Sequence, residues 1–286
     1  MKIRVLLSVA VLSVFSAVPN VRAGQNNFSF APAPIAYPSF EPDRTDTKLT
    51  GVYFSLKGKD ANSDISVRGG GIDMIFRHAF GSFIAADLNF GLHGLNGEMP
   101  GIALPFFYRG FLYAPIIDGK GSLTGLDMPF SINLEVQPIK KPFSLILFGG
   151  PGWNFDSTTL STPYHVLHGD PTKYTADMKM FLGGVQMGVQ LGIPLGPLKL
   201  VPYYMSSTRS GTATMTFNSG YQGTTNIVGD TTVTVDPFTV TSQGADLIIV
   251  PWNLSVGAML QQANPTKDQQ GFKTTLIMMS WHFRGS

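Results

Sequence analysis

Phe130-Ser131-Ile132-Asn133-Leu134-Glu135-Val136-Gln137 sets four apolar side chains in strict alternation with four polar ones. Successive side chains of a strand point to opposite faces, so this stretch reads as a ribbon with one apolar and one polar side. The same period recurs along the chain. Ala86, Leu88, Phe90 and Leu92 alternate with Asp87, Asn89, Gly91 and His93, and Leu254, Val256, Ala258 and Leu260 alternate with Ser255, Gly257, Met259 and Gln261. From Phe181 to Ile193 the odd positions are apolar or glycine, while Gly184, Gln186, Gly188, Gln190 and Gly192 stand opposite. Small and polar residues on that second face suit a crowded interior.

Composition says what the apolar faces meet. Charged residues make up 13% of the 286 and aromatics 12%, where a soluble domain carries about 25% charged residues. A soluble β-sandwich would alternate as well, but with more surface charge. Past the N-terminus no run of 18 apolar residues occurs, so a helical span is excluded. In lipid only helices and closed sheets satisfy every backbone group, which leaves a barrel.

The first residues are those of a secretory signal: Lys2 and Arg4, an apolar or small stretch from Val5 to Val18, then Val21-Arg22-Ala23 before Gly24. Cleavage after Ala23 is the expectation, with residues 1–23 as the signal peptide, 24–46 as a Pro-rich leader on the periplasmic side and 47–286 as the barrel. Lys2, Arg4 and Arg22 are three of the 20 basic residues, so 17 remain against 18 acidic ones and the basic pI of 8.7 belongs largely to the discarded segment. This balance points to no nucleic-acid partner. Cysteine is absent, which excludes disulfides, thiolate metal sites and a lipid-anchoring cysteine.

Strands are predicted near 48–58, 64–77, 82–95, 124–137, 143–156, 179–193, 197–208, 240–250, 253–262 and 271–283. The count of ten is even, as in single-chain bacterial barrels, with eight or twelve as the alternatives. The fold class is therefore all-β, a transmembrane antiparallel up-and-down barrel. Tight links at 77–81, 138–142, 194–197 and 251–253, the last three carrying Pro, predict short turns at one end. The longer links at 59–63, 96–123, 157–178, 209–239 and 263–270 predict loops at the other. Within 209–239, Thr212, Thr214 and Thr216 and the run Thr232-Val233-Thr234-Val235 predict a hairpin prolonging two strands.

The last strand places Ile277, Met279, Trp281 and Phe283 on one face. With the strand pattern and the signal, the chain here resembles the Gram-negative outer-membrane β-barrel proteins, whose final strand closes on an aromatic. It departs from them in that Arg284-Gly285-Ser286 follow Phe283. The resemblance implies an outer-membrane location, surroundings of outer-membrane lipids and lipopolysaccharide, and the barrel-assembly machinery as a partner. It implies no specific activity.

Three constellations are candidates for function. Alternation directs Asp73, Arg77, Asp87, His93, Glu135, Lys57 and Lys199 to the lumen, where they either pair as a polar core or line a charge-selective constriction. Phe106, Phe107, Tyr108, Arg109, Phe111 and Tyr113 form an aromatic loop that would be costly in water, so it packs in the barrel mouth, lies on the outer leaflet or grips an apolar ligand. His165, His168 and Asp170 share a loop with two His spaced by three, but no third fixed ligand accompanies them, so a solvated loop is the reading and neither metal nor cofactor is expected. Outer-membrane proteases of the omptin type share the strand number and use paired acids and a His near the rim. His93, His165, His168, Asp118, Asp170 and Asp177 lie in or beside predicted loops here, but no motif ties them together, so a loop-borne hydrolase is only the alternative to a non-enzyme. The functional expectation is a small-solute channel with a narrow charged lumen. Its alternative is a structural or surface-interaction barrel without transport.

Overall fold

The computed structural model describes residue 34, residues 40–60, 63–100, 106–108, 111–113, 116–117, 120–165, 172–219, 226–263 and 272–284. Its frame is ten strands: β1 (Arg44–Asp60), β2 (Ser63–Ala79), β3 (Ile84–Pro100), β4 (Lys120–Ile139), β5 (Ser144–His165), β6 (Thr172–Leu195), β7 (Leu198–Ser219), β8 (Asn226–Ile249), β9 (Leu254–Ala263) and β10 (Phe272–Arg284). Each pairs antiparallel with its neighbours in sequence. β10 returns to β1 in register from Asp46↔Arg284 to Gly58↔Phe272. The sheet is a closed up-and-down barrel with no edge along its wall at that level, the only sheet form that leaves no unpaired backbone row facing lipid.

Residues 240–262, which could be read as one bent strand, are β8 and β9 split by the single turn Val250–Trp252. Asn253 there adopts φ 51°, and Gly196 in the β6–β7 turn adopts φ 67°; Asn and Gly tolerate this left-handed region best. The predicted loop at 157–178 is largely strand, and within 209–239 the expected hairpin prolonging two strands is present, paired from Gly211↔Val235 to Ser219↔Asn226. β5 to β8 run 22, 24, 22 and 24 residues, about twice what a tilted strand needs to cross a bilayer.

That extra length divides the barrel into two halves of opposite polarity. In the half nearer the short turns the outward face is apolar, from Ile84 to Leu92 on β3, Leu126 to Val136 on β4 and Phe181 to Leu195 on β6, while the inward face is polar. In the half nearer the long loops the pattern inverts. Outward positions become Thr124, Ser157, Lys179, Thr212 and Thr214, and inward ones become Leu123, Leu160, Met180, Ala213 and Met215. The frontier follows one rung of the sheet, Phe155↔Phe181 outside and His93↔Asp127, Asp127↔Asp156 and Asp156↔Met180 inside.

Aromatic rings mark both limits of the apolar belt. Phe155 and Phe181, 4.7 Å apart, stand at the frontier with Tyr53 close to it; Phe80, Phe83, Phe143, Trp252, Trp281 and Phe283 ring the turn end. Such paired girdles suit the two interfaces of a bilayer. The interior of the loop-end half is a cluster of Leu, Val, Phe and Tyr with the methionines Met99, Met178, Met180, Met215, Met259 and Met278, side chains flexible enough to fill an irregular bore.

On β7 and β8 the inversion passes through a bulge. Asp236 and Pro237 oppose the single residue Ser210, between the pairs Arg209↔Phe238 and Gly211↔Val235. The extra residue shifts parity, so Val235 and Phe238 both point inward. Proline needs no ladder hydrogen bond there.

The inversion yields a prediction. Met215→Ala, deep in the loop-end interior, should destabilise the folded barrel by about 2–5 kcal/mol, whereas its outward neighbour Thr214→Ala should stay within about 0.5 kcal/mol. Urea unfolding in lipid vesicles measures both. Equal effects would contradict a packed interior at this level.

Candidate functional site

The interior of the turn-end half collects the chain's buried ionisable groups. Lys48 and Asp127 expose 0% of their surface, Arg77, His93 and Asp246 1%, Glu135 2%, Asp73 3% and Asp87 4%. An open aqueous bore would wet these side chains, so at this level the interior is filled.

One continuous circuit of contacts joins six strands. His93 on β3 sets Nε2 2.9 Å from Asp73 Oδ1 on β2 and Nδ1 3.0 Å from Asp127 Oδ2 on β4. Asn154 on β5 donates to the other Asp127 oxygen (3.0 Å) and accepts from Arg209 Nε on β7 (3.3 Å). Arg209 donates onward to Gln186 on β6 (3.1 Å), Gln186 to Asn133 (2.9 Å), and Asn133 to Asp87 (2.8 Å), which also accepts from Asn89 (2.7 Å). Asp156, register partner of Asp127, lies buried beside the circuit.

Nearer the turns a second group forms around two cations. Arg77 donates to Asp46 (2.7 Å) and lies 3.5 Å from Glu135; Lys48 donates to Asp246 (2.8 Å). Glycines make room for these side chains. A Cβ at Gly71 would collide with the Leu92 carbonyl oxygen and crowd the His93 ring, and one at Gly257 would collide with Asp246 Oδ1. Buried charge costs several kcal/mol of desolvation per ion unless it is paired and hydrogen-bonded, and this arrangement supplies partners to Lys48, Arg77, His93 and Arg209.

Of the residues assigned to the lumen by alternation, Asp73, Arg77, Asp87, His93 and Glu135 all stand in this interior. Lys199 has inward parity at the turn-end rim and is only partly covered. Lys57 does not join them. It is exposed on the outer wall, because the apolar Val52, Phe54 and Leu56 lie in the inverted half and point inward.

The aromatic segment is a small hairpin, Phe106–Tyr108 paired with Phe111–Tyr113, with Arg109 outside the described residues. His165 ends β5, paired to Ile116, rather than lying in a loop; His168, Asp170 and Asp118 fall outside the described residues. Asp177 sits on the outer wall, accepting hydrogen bonds from Thr159 (2.6 Å) and Asn218 (3.2 Å). Among the described residues no three His, Asp or Glu side chains converge to hold a metal ion.

Alternation alone did not single out Asp46, Lys48, Asp127, Asn154, Asp156, Gln186, Arg209 and Asp246 as a connected set. Asp127 and Gln186 share the parity of Glu135 and Gln190, a signal present in the sequence. Arg209 fell in a predicted loop.

No family model matches the chain, and no curated protein is similar to it. Among solved structures it is similar to the outer membrane protease OmpT of Escherichia coli, at 9% identity over 86% of this chain and 98% of that one, with a TM-score of 0.48. A major outer membrane protein from Thermus thermophilus gives 14% identity over 83% and 99%, TM-score 0.40. OprG of Pseudomonas aeruginosa, an outer membrane protein, gives 9% over 85% and 97%, TM-score 0.37.

Removing one member of a buried pair tests the circuit's energetics. Arg77→Met leaves Glu135 without its cation and Asp46 with only Arg44, 3.4 Å away, and should cost about 3–5 kcal/mol. Adding Glu135→Gln to that variant should cost less than adding it to the parent, a coupling of about 0.5–3 kcal/mol in a double-mutant cycle read by urea unfolding. Strictly additive costs would show that the two side chains do not interact.

Proposed function

We propose that the protein is a closed outer-membrane barrel that conducts no solute through its wall-to-wall interior, and that its work is done by the part of the barrel standing outside the membrane. The observation that carries this reading is the burial of the paired interior charges, topped by the apolar filling of the loop-end half. A channel needs a continuous wet path. Here a polar layer and an apolar layer both interrupt it. Of the two functions open at the level of sequence, this favours the structural or surface-interaction barrel over the charge-selective channel.

The apolar belt supports the location. With the short turns, the start of β1 and the end of β10 on the periplasmic side, β5 to β8 extend past the outer interface by about nine residues each, roughly 20–25 Å at 3.3 Å per residue and barrel tilt. Their outward faces there are rich in Thr and Ser, a surface suited to polar contact with envelope components or partners at the cell exterior. Lipopolysaccharide packs against the belt's upper girdle, and the assembly machinery receives the β10 face. The reading takes the protein as a non-enzyme, with a loop-borne hydrolase as its alternative.

Planar-bilayer recording of the purified protein is the test. The expected result is a silent membrane, with insertion verified independently by protease protection of the reconstituted barrel. Stepwise, charge-selective currents that change with Glu135→Gln would establish the channel instead.

A further inference from the structure

The interior is not closed at the turn end by the barrel wall alone. Pro34 and Phe40 precede β1, yet both reach into the lumen. Phe40 is buried against Ala79, Ala85 and Ile146, and its backbone N–H donates to Gln137 Oε1 (3.1 Å). Its ring lies under the Arg77 guanidinium at 5.1 Å, and Lys48 donates to the Pro34 carbonyl oxygen at 3.2 Å. These contacts use side chains of the polar interior, from β1, β2 and β4.

The local sequence explains how the chain turns inward. β1 starts at the wall, and the residues just before it, Pro42 and Asp43, form a turn. Asp43 takes φ 58°, and its N–H donates to the Ala79 carbonyl oxygen at 2.8 Å. Arg44 pairs with Glu41 across the turn. The left-handed conformation at Asp43 reverses the chain from the wall into the bore, a conformation Asp tolerates and a β-branched residue resists.

We propose that Phe40–Asp43 is a strap that seals the periplasmic mouth of the barrel, with Phe40 as its stopper and the Pro42-Asp43 turn as its hinge. The Phe40 ring, its hydrogen bond to Gln137 and one strained turn hold it. Nothing in the continuous wall depends on it, so it is the part of the closure that can be withdrawn without opening the sheet.

The absence of cysteine makes the test direct. Ser144 lies two residues from Ile146 on the same inward face, is buried, and its hydroxyl has no hydrogen-bond partner, so Ser144→Cys is a mild reporter. In the full chain reconstituted in vesicles, a membrane-impermeant thiol reagent applied from the turn side should modify this cysteine slowly. Phe40→Ala and Asp43→Val should each raise the rate by at least about tenfold, as when a protected site opens to solvent, while Asp43→Gly should leave it unchanged. A second reporter, Ser157→Cys on the outer wall of the loop-end half, labelled from the loop side, should react equally in all four backgrounds, and urea unfolding in the vesicles should show that each barrel is folded.

Equal Ser144→Cys rates in all four backgrounds overturn the proposal. So does a rise with Asp43→Gly as large as with Asp43→Val. The strap variants should remain silent in bilayer recordings, because the apolar half still fills the bore above. Currents in the parent therefore strike at the closed-barrel reading, and unchanged labelling strikes at the strap.

Discussion

The ladder between β1 and β10 is the interaction on which the structure depends. Without it, two strand edges would present unpaired N–H and C=O groups over the full height of the apolar belt, and each such group costs several kcal/mol in hydrocarbon. Closure fixes the number of strands and the width of the bore. Ten strands leave a bore that side chains can span, and everything inside follows from how that space is filled.

Filling it obeys two different solvents. Where the wall faces lipid, apolar side chains are needed outside, and alternation delivers polar ones to the interior, where Asp73, His93, Asp127, Asn154, Arg209, Gln186, Asn133 and Asp87 satisfy one another in a circuit. Where the wall rises into water the requirement reverses. Thr and Ser turn outward, and alternation delivers Leu, Met, Phe and Tyr to an interior like that of a soluble protein. The two fillings meet at His93, Asp127 and Asp156, and the strap proposed at Phe40 lies at the turn end of the polar one.

The belt half was legible in the sequence because its alternation is strict. Phe130 to Gln137 and Phe181 to Ile193 gave strand, orientation and interior residues at once. The loop-end half was not, because its rule is the opposite one. Tyr174, Ala176, Met178 and Met180 alternate as clearly as the residues after them, but on even positions, and a single parity for the whole strand hides them in a loop. The same assumption sent Lys57 to the lumen, when Phe54 and Leu56 fill it. Arg209 keeps the inward parity of Met205 and Ser207 on β7, but its neighbours Thr208, Ser210 and Gly211 carry no apolar alternation and read as loop. Phe40 carried no periodic signal, since its burial comes from a turn and not from a strand.

The frontier between the two polarities can be measured directly. Nitroxide labels placed one at a time at the outward positions of β6, from Thr175 through Asp177, Lys179, Phe181, Gly183, Val185 and Met187, report oxygen and water-soluble relaxant access in vesicles. The account predicts aqueous access up to Lys179 and lipid access from Phe181 onward, with the change falling between those two residues. Lipid access continuing through Thr175 to Lys179, or aqueous access along Phe181 to Met187, would contradict it.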